Sequence, residues 1–271
     1  MREKAVYLAK ALARRLLYGP SDLLQRRRSG PPRPPRSLSF VGGGDFEETG
    51  REFLGHFVEL GGLSSGDRVL DIGCGIGRMA LPLTGYLDER GSYAGFDVGR
   101  EMVGWCQRNI TRRWSNFEFS WAPVYNAKYN PFGNVSASEF RFPFPDDSFD
   151  FAFATSLFTH LEWPETRHYL AETARVLRPG GACLLTFFLL TPDSRREIEA
   201  GRTRLGFSHP IEGGMTTSPG LPEEAVAFDA EALLALLSEA GLRPREPFHA
   251  GSWANMPQAA SLQDIVVADA G

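Results

Sequence analysis

The sequence predicts an α/β fold that is doubly wound around a mainly parallel sheet, with helices on both faces. Apolar strand-like segments alternate with helix-like segments from residue 40 onward. The strand-like segments are largely apolar, as buried parallel strands are. The longest apolar run, at 182–190, has nine residues and is too short to span a membrane. With 42% hydrophobic and 23% charged residues, the chain has an ordinary globular composition.

Seven strands and four helices are predicted from residue 67 onward. Each strand is a run of apolar, β-branched or aromatic residues between turn signals, and each helix has a periodic apolar face. The last helix is expected to end at Gly241 in a glycine C-cap. The strands are 67–73, 91–98, 116–124, 148–158, 182–190 and two short ones around 246–253 and 263–270, and the helices are 77–89, 100–113, 164–181 and 229–242.

The charge distribution separates the first 36 residues from the rest. Residues 1–36 hold ten Lys and Arg against two acids, a net charge of +8, whereas the remainder holds 19 against 31, a net charge of −12. The predicted organisation is therefore a basic amphipathic helix with a Pro/Arg-rich linker at 1–36, followed by one domain at 37–271. The Gly-, Pro- and Ser/Thr-rich stretch 191–228 is interpreted as an inserted loop or lid within that domain.

The basic helix has two interpretations, and both remain open at this point. It can lie on an anionic membrane surface, or it can pack on the body of the protein or on a partner protein. The acidic remainder argues against nucleic acid as a partner. Three widely spaced cysteines fit no metal or disulfide framework, so the cytoplasm is the expected location, with peripheral membrane contact as an option.

A glycine-rich turn follows the first predicted strand and points to a ligand. Gly73, Gly75 and Gly77 alternate with other residues directly after Asp71 and Ile72. Glycines let the backbone approach a ligand closely, and ligands of parallel sheets bind beyond the carboxyl ends of the strands. The spacing differs from the G-x-G-x-x-G of dinucleotide sites, and an acid at position 71 suits a ligand that carries an ammonium group rather than a pyrophosphate. Asp97 ends the second strand, where a carboxylate can accept both hydroxyls of a ribose.

Four ordered motifs resemble those of the class I, seven-stranded S-adenosylmethionine-dependent methyltransferases. The segment "VLDIGCGIGRMA" is similar to their glycine-rich first motif, and "GFDV" to the segment with their ribose-binding acid. The segments 142–161 and 172–188 are similar to their fourth-strand and fifth-strand motifs. The resemblance covers about residues 50–190 and implies a final antiparallel hairpin and S-adenosylmethionine as methyl donor.

The resemblance also implies a set of cofactor-binding residues. Gly73, Cys74 and Gly75 would line the cofactor's amino-acid portion, with Asp71 near its ammonium group. Asp97 would hold the ribose hydroxyls. Many family members have an adenine-binding Asp where this chain has Ser138 or Glu139. The remaining expected contacts are Val98 beside the adenine, and Ala154 and Thr155 near the sulfonium.

The sequence predicts the methyl acceptor and its catalytic base in less detail than the cofactor contacts. A protonated hydroxyl is a poor nucleophile, so a general base would help, and His160 and His209 are the candidates. Methylation of a hydroxyl on a small molecule, such as a sugar or another natural product, is preferred by family analogy. The acids at 146–150 are interpreted as a turn, and no metal site is predicted.

Three other functions are kept as alternatives. The first is a non-catalytic cofactor- or partner-binding protein that retains the fold. The second is an N- or C-methyltransferase, and the third is an NAD-type oxidoreductase. The acid at the end of the second strand is shared with NAD enzymes. Asp71 and the glycine spacing are therefore the features that distinguish a methyltransferase from an NAD-type oxidoreductase.

Overall fold

Within residues 2–25, 32–38, 44–257 and 259–271, which the computed structural model describes, seven strands form one sheet. These strands are β1 (Arg68–Ile72), β2 (Ser92–Asp97), β3 (Phe117–Trp121), β4 (Phe149–Ala154), β5 (Leu177–Phe187), β10 (Leu242–Pro244) and β11 (Asp264–Ala270). Their order across the sheet is β10-β11-β5-β4-β1-β2-β3. A second sheet has the order β6-β9-β8-β7 and consists of β6 (Leu189–Leu190), β7 (His209–Ile211), β8 (Gly214–Thr216) and β9 (Val226–Asp229).

The direction of pairing confirms the predicted α/β class. Strands β2 and β3 are parallel, as are β4 and β5. The C-terminal β11 runs antiparallel to β5, and β10 runs antiparallel to β11, as the resemblance implies.

The helices around the sheets are α1 (Arg2–Gln25), α2 (Phe46–Glu59), α3 (Ala80–Leu83), α4 (Arg100–Cys106), α5 (Trp163–Val176), α6 (Pro192–Glu199) and α7 (Ala230–Glu239).

The chain divides into two compact units. The first unit comprises Met1–His56, Ser64–Asp67 and Asp71–Ser136, and the second unit comprises Phe57–Leu63, Arg68–Leu70 and Ala137–Gly271.

In the first unit, two predicted helices are shorter than expected. The helix predicted at 77–89 is reduced to the four residues of α3; Pro82 within it has no amide hydrogen to donate to the carbonyl of Arg78, so the regular bonds are interrupted at the start of the helix. The helix predicted at 100–113 changes after Cys106 into a π-helical turn at Gln107–Thr111. There Asn109 donates its side-chain amide to the carbonyl of Trp105 at 2.8 Å, which competes with the regular backbone bonds.

In the second unit, the stretch interpreted as a loop contains regular structure. Helix α6 begins after Thr191, whose hydroxyl accepts from the amide of Ser194, and β7 to β9 follow. The strand predicted around 246–253 is wrong, because that stretch forms only isolated bridges from His249 and Gly251, and the strand that pairs with β11 is β10, three residues long and earlier in the chain. Helix α7 ends as predicted, with Gly241 at φ +86°.

The turn at residues 146–150 lies in the second unit and is held by arginines. Asp146 accepts from Arg175 at 2.7 Å, and Asp150 accepts from Arg68 and Arg178.

Among the residues that the structure describes, no helix combines the length and apolar character needed to cross a bilayer.

Candidate functional site

The glycine-rich turn after β1 is bonded to the end of β2. The amides of Gly73 and Cys74 both donate to the carbonyl of Phe96 at 3.0 Å, and the amide of Gly77 donates to the carbonyl of Cys74 at 2.9 Å. Gly73, Gly75 and Gly77 have φ values of +85°, +51° and +77°, a region that side chains disfavour. The glycines are therefore required by the backbone path of the turn.

Gly75 and Gly77 have different surroundings. A Cβ added at Gly77 would lie 2.8 Å from Cδ1 of Ile110 and 3.2 Å from the Cys106 sulfur, so Gly77 allows the turn to pack closely on the π-helical segment. A Cβ added at Gly75 would meet no atom of the described residues within 4 Å apart from its chain neighbours. The backbone at Gly75 is therefore open to a ligand.

Asp97 lies at the end of β2, and backbone amides position its carboxylate. Its Oδ2 accepts from the amide of Gly75 at 2.8 Å, and its Oδ1 accepts from the amide of Gly99 at 2.6 Å. Burial raises the pKa of this carboxyl, and the two amides oppose that shift by stabilising the ionised form. Since each carboxylate oxygen has a further lone-pair direction, the group can accept two more hydrogen bonds from a ligand.

Asp71 is buried at the end of β1 with one oxygen bonded. Its Oδ2 accepts from the Tyr93 hydroxyl at 2.6 Å, and its Oδ1 has no hydrogen-bond partner among the described residues. Burial raises the pKa of Asp71 to about 8; the Tyr93 bond lowers it, and the nearby charge of Asp97 raises it. A buried oxygen without a donor is unfavourable, so a ligand that supplies a donor or a positive charge would be favoured there.

Tyr93 and Gly95 also shape this site and are not among the residues predicted from the sequence. Both lie on the same face of β2 as Asp97, because side chains two residues apart share a face of a strand. A Cβ added at Gly95 would lie 2.8 Å from the Tyr93 hydroxyl and 2.8 Å from Cβ of Cys74. The alternation of Tyr93, Gly95 and Asp97 was the available signal, since a strand-interior glycine often marks a close approach.

The other predicted residues of the first unit lie at the same turn. Cys74 is buried behind the turn, while Val98 is half-buried directly after β2. The carbonyl of Val98 accepts from the indole nitrogen of Trp121 at 3.0 Å. The first unit therefore brings together six predicted residues, namely Asp71, Gly73, Cys74, Gly75, Asp97 and Val98.

The second unit holds the four other residues predicted to contact the cofactor, in two places. Ala154 is the buried last residue of β4, and the half-buried Thr155 follows it. Ser138 and Glu139 belong to a short 3₁₀ turn, Ala137–Glu139, that contacts α5.

The two candidate bases have different environments. His160 ends a 3₁₀ turn after β4, and its Nδ1 lies 2.9 Å from the carbonyl of Glu223 in the inserted stretch. Because a carbonyl only accepts, this bond places the ring proton on Nδ1, and the neutral ring carries its lone pair on Nε2. His209 lies on β7 at one edge of the small sheet and is exposed.

A polar cluster after β4 was not predicted from the sequence. Ser156 has φ +58°, its amide donates to the Thr186 hydroxyl at 2.8 Å, and its hydroxyl donates to Gln263 at 3.1 Å. Thr186 also donates to Gln263, at 2.6 Å. A non-glycine residue at positive φ is uncommon and is found preferentially at functional sites. Because these three residues are distant in sequence, their spacing contains no signal of the cluster.

Residues 70–185 match a family model described as a methyltransferase domain. The 27-O-demethylrifamycin SV methyltransferase of Amycolatopsis mediterranei is 34% identical over 146 residues, which cover 52% of this chain and 46% of that protein. The ubiquinone/menaquinone biosynthesis C-methyltransferase of Pseudomonas entomophila is 26% identical over a match that covers 68% of each chain. The chain thus spans less than half the length of the first relative.

A solved structure with the same fold is the PH0226 protein of Pyrococcus horikoshii. It superposes with a TM-score of 0.58 over 87% of this chain and 95% of that one, at 16% sequence identity. At that identity the likeness concerns the fold alone.

Proposed function

We propose that this chain is a class I S-adenosylmethionine-dependent methyltransferase that transfers the methyl group of S-adenosylmethionine to a hydroxyl of a small molecule. The match of residues 70–185 to a methyltransferase-domain model and the 34% identity to the Amycolatopsis relative support the proposal. The observation that carries the proposal is the pair of carboxylates at the glycine-rich turn. Asp97 is fixed by two amides, and Asp71 is buried with an oxygen that has no donor among the described residues.

The residues of the first unit fit this cofactor. Asp97 is assigned to the two ribose hydroxyls, because its oxygens are already oriented by Gly75 and Gly99. Asp71 is assigned to the ammonium group, directly or through water, since a positive charge would stabilise its ionised form. The open backbone at Gly75 leaves room for the amino-acid portion. The roles of Ser138, Glu139, Ala154 and Thr155 stay predictions.

When bound, S-adenosylmethionine supplies a methyl group that is activated by its sulfonium. The protein must then align the acceptor, exclude water and remove a proton from the hydroxyl. We assign proton removal to Nε2 of His160, because the bond from Nδ1 to Glu223 holds the ring in the tautomer that a base requires. The same bond connects the inserted stretch 191–228 to the turn after β4, which supports a role of that stretch in shaping the acceptor pocket.

The acceptor atom is the finer part of the proposal. The Amycolatopsis relative is named for 27-O-demethylrifamycin SV, and the Pseudomonas relative is named as a C-methyltransferase. O-methylation of a sugar or natural-product hydroxyl is our assignment. C-methylation is the alternative, and a binding protein without turnover is the second one.

Calorimetric titration with S-adenosylmethionine and with S-adenosylhomocysteine tests cofactor binding. Asp97→Ala should weaken both about 100-fold, because two hydrogen bonds to a charged acceptor are lost. Glu118→Ala, at an exposed position of β3 in the same unit, is the matched control and should bind like the unmodified chain. Equal affinities of the Asp97 variant and the control would refute the assignment.

Release of S-adenosylhomocysteine with a panel of hydroxyl acceptors tests turnover and the base. His160→Gln should lower kcat about 10²- to 10⁴-fold and remove the acid limb of the pH–rate profile, while cofactor affinity stays unchanged. His209→Gln should leave both unchanged. A larger effect at His209 would transfer the role to that residue. Tight cofactor binding without turnover on any acceptor would favour the binding protein.

A further inference from the structure

Helix α1 packs on the first unit with the side that carries its polar and aromatic residues. Tyr7, Ala11 and Tyr18 are half-buried, and Asp22 is buried. The Tyr7 ring meets Phe132 edge-on at 6.0 Å, and the hydroxyl of Tyr125 donates to Glu3 at 2.8 Å. An amphipathic helix of a water-soluble domain ordinarily packs its apolar face inward, so this orientation is inverted.

Two further contacts, one in the middle of α1 and one near its C-terminal end, hold its polar side. Arg15 forms an ion pair with Glu101 near the start of α4. Asp22 accepts from the amide of Arg36 at 2.7 Å and from the hydroxyl of Ser37 at 2.6 Å. These contacts join three segments of the first unit, so the orientation of α1 does not depend on a single contact.

The opposite side of α1 exposes a stripe of leucines. Leu8, Leu12 and Leu16 lie one helical turn apart and are 57%, 59% and 73% exposed, and Leu17 beside them is 70% exposed. Nine large hydrophobic side chains are exposed among the described residues, and five of them belong to α1. Such a patch usually marks an interaction surface.

Cations border this leucine stripe. At 100° per residue, Lys10 lies next to Leu17, and Lys4 and Arg15 lie on the other side of the stripe, next to Leu8. All three are exposed, but Arg15 is paired with Glu101 and Lys4 lies over the Phe132 ring at 5.2 Å, so Lys10 is the cation of this group with no such contact to the body among the described residues. Residues 1–36 carry a net charge of +8, whereas the rest of the chain carries −12. Apolar side chains between cations match a bilayer interface, where leucines enter the acyl region and long basic side chains reach anionic headgroups.

We propose that α1 docks this protein on the surface of an anionic phospholipid bilayer through Leu8, Leu12, Leu16 and Leu17. A second copy of the chain is a poorer occupant for two reasons. Packing α1 on α1 would bring two strongly basic segments together. Packing α1 on the body of another copy would bury few apolar side chains. Of the large hydrophobic residues that are exposed in the described part of the chain, Tyr125 and Phe132 already contact α1, which leaves Trp121 and Leu262 outside α1. The docking does not depend on methyl transfer.

Co-sedimentation of the full chain with vesicles tests the proposal. Binding is expected to vesicles of phosphatidylcholine mixed with phosphatidylglycerol and to be at least tenfold weaker with phosphatidylcholine alone. The triple variant Leu8→Ala, Leu12→Ala, Leu16→Ala keeps helix propensity and removes apolar area, so its binding to the mixed vesicles should fall at least tenfold. Leu262→Ala, 46% exposed in the second unit, is the matched control and should bind normally.

Two further readouts complete the test. Lys10→Gln should weaken binding to the mixed vesicles about fivefold, and circular dichroism should show that each variant keeps the helical content of the unmodified chain. Failure to bind the mixed vesicles, or equal binding by the triple alanine variant, would overturn the proposal. Concentration-dependent dimers that the triple variant abolishes would overturn it in favour of a second copy.

Discussion

Asp71 and Asp264 are both buried aspartates at strand ends, but their surroundings differ. Asp264, at the start of β11 in the second unit, accepts from the amides of Leu189 and Gly251 and from the indole nitrogen of Trp253, each at 2.7 Å. Asp71, at the end of β1, accepts from Tyr93, and its second oxygen has no partner among the described residues. Burial raises the pKa of both carboxyls.

The difference indicates that Asp264 stabilises the fold, whereas Asp71 is suited to bind a ligand. The three donors of Asp264 join β6, the segment before Trp253 and the start of β11, so its carboxylate stabilises the fold around the buried Trp253. Asp71 stabilises little by itself, because a buried and incompletely bonded carboxylate is unfavourable. A group of this kind is expected at a ligand site, where the ligand supplies the missing interaction.

The largest expected effect comes from the same substitution at both positions. Asp264→Asn places an amide group against donors and should lower the free energy of unfolding by about 3–5 kcal/mol. Asp71→Asn should leave the unfolding of the cofactor-free protein unchanged or raise its stability, while it weakens cofactor binding. Urea unfolding near pH 7 with calorimetric titration measures both. Similar losses of stability at the two positions would invalidate the comparison.

The second effect is a pH dependence. The pKa of Asp71 is about 8 in the folded chain and about 4 in the unfolded chain, so the folded state binds the proton more tightly between these values. Stability should therefore fall as pH rises from about 4 to about 8, by at most about 1.4 kcal/mol per pH unit, and level off above. Asp71→Asn should remove this part of the pH dependence. Urea unfolding of the unmodified protein and of the variant at a series of pH values would measure it. Parallel curves of unfolding free energy against pH for the unmodified protein and the Asp71→Asn variant would contradict this prediction.

The smallest effect concerns two glycines in the same backbone region. Gly75 and Gly201 have φ values of +51° and +66°, and an added Cβ meets no neighbouring atom within 4 Å at either position. Alanine should therefore cost about 1 kcal/mol of stability at each. Gly75→Ala alone should weaken cofactor binding, at least tenfold, because its methyl group would occupy space assigned to the cofactor. Thermal unfolding and titration of both variants measure this, and equal affinities would exclude close contact at Gly75.

Several features were predictable because they depend on local sequence. Alternating apolar segments identified five of the main-sheet strands and β11, and the turn chemistry of Gly241 identified the end of α7. The position of Asp97 beside the glycine-rich turn followed from the placement of ligands at the carboxyl ends of parallel strands. Strands of three residues, as in β7, β8 and β10, have too little periodicity to be recognised.

The sequence by itself determined the α/β class, the backbone freedom of the glycine-rich turn and the amphipathic character of α1, because periodicity and glycine content are properties of neighbouring residues. Only the tertiary structure decided that Tyr93 occupies one oxygen of Asp71, that Ser156, Thr186 and Gln263 meet, and that α1 faces outward with its leucines. Each of these depends on contacts between residues far apart in the chain, and the free energy of such contacts is set by packing rather than by local pattern.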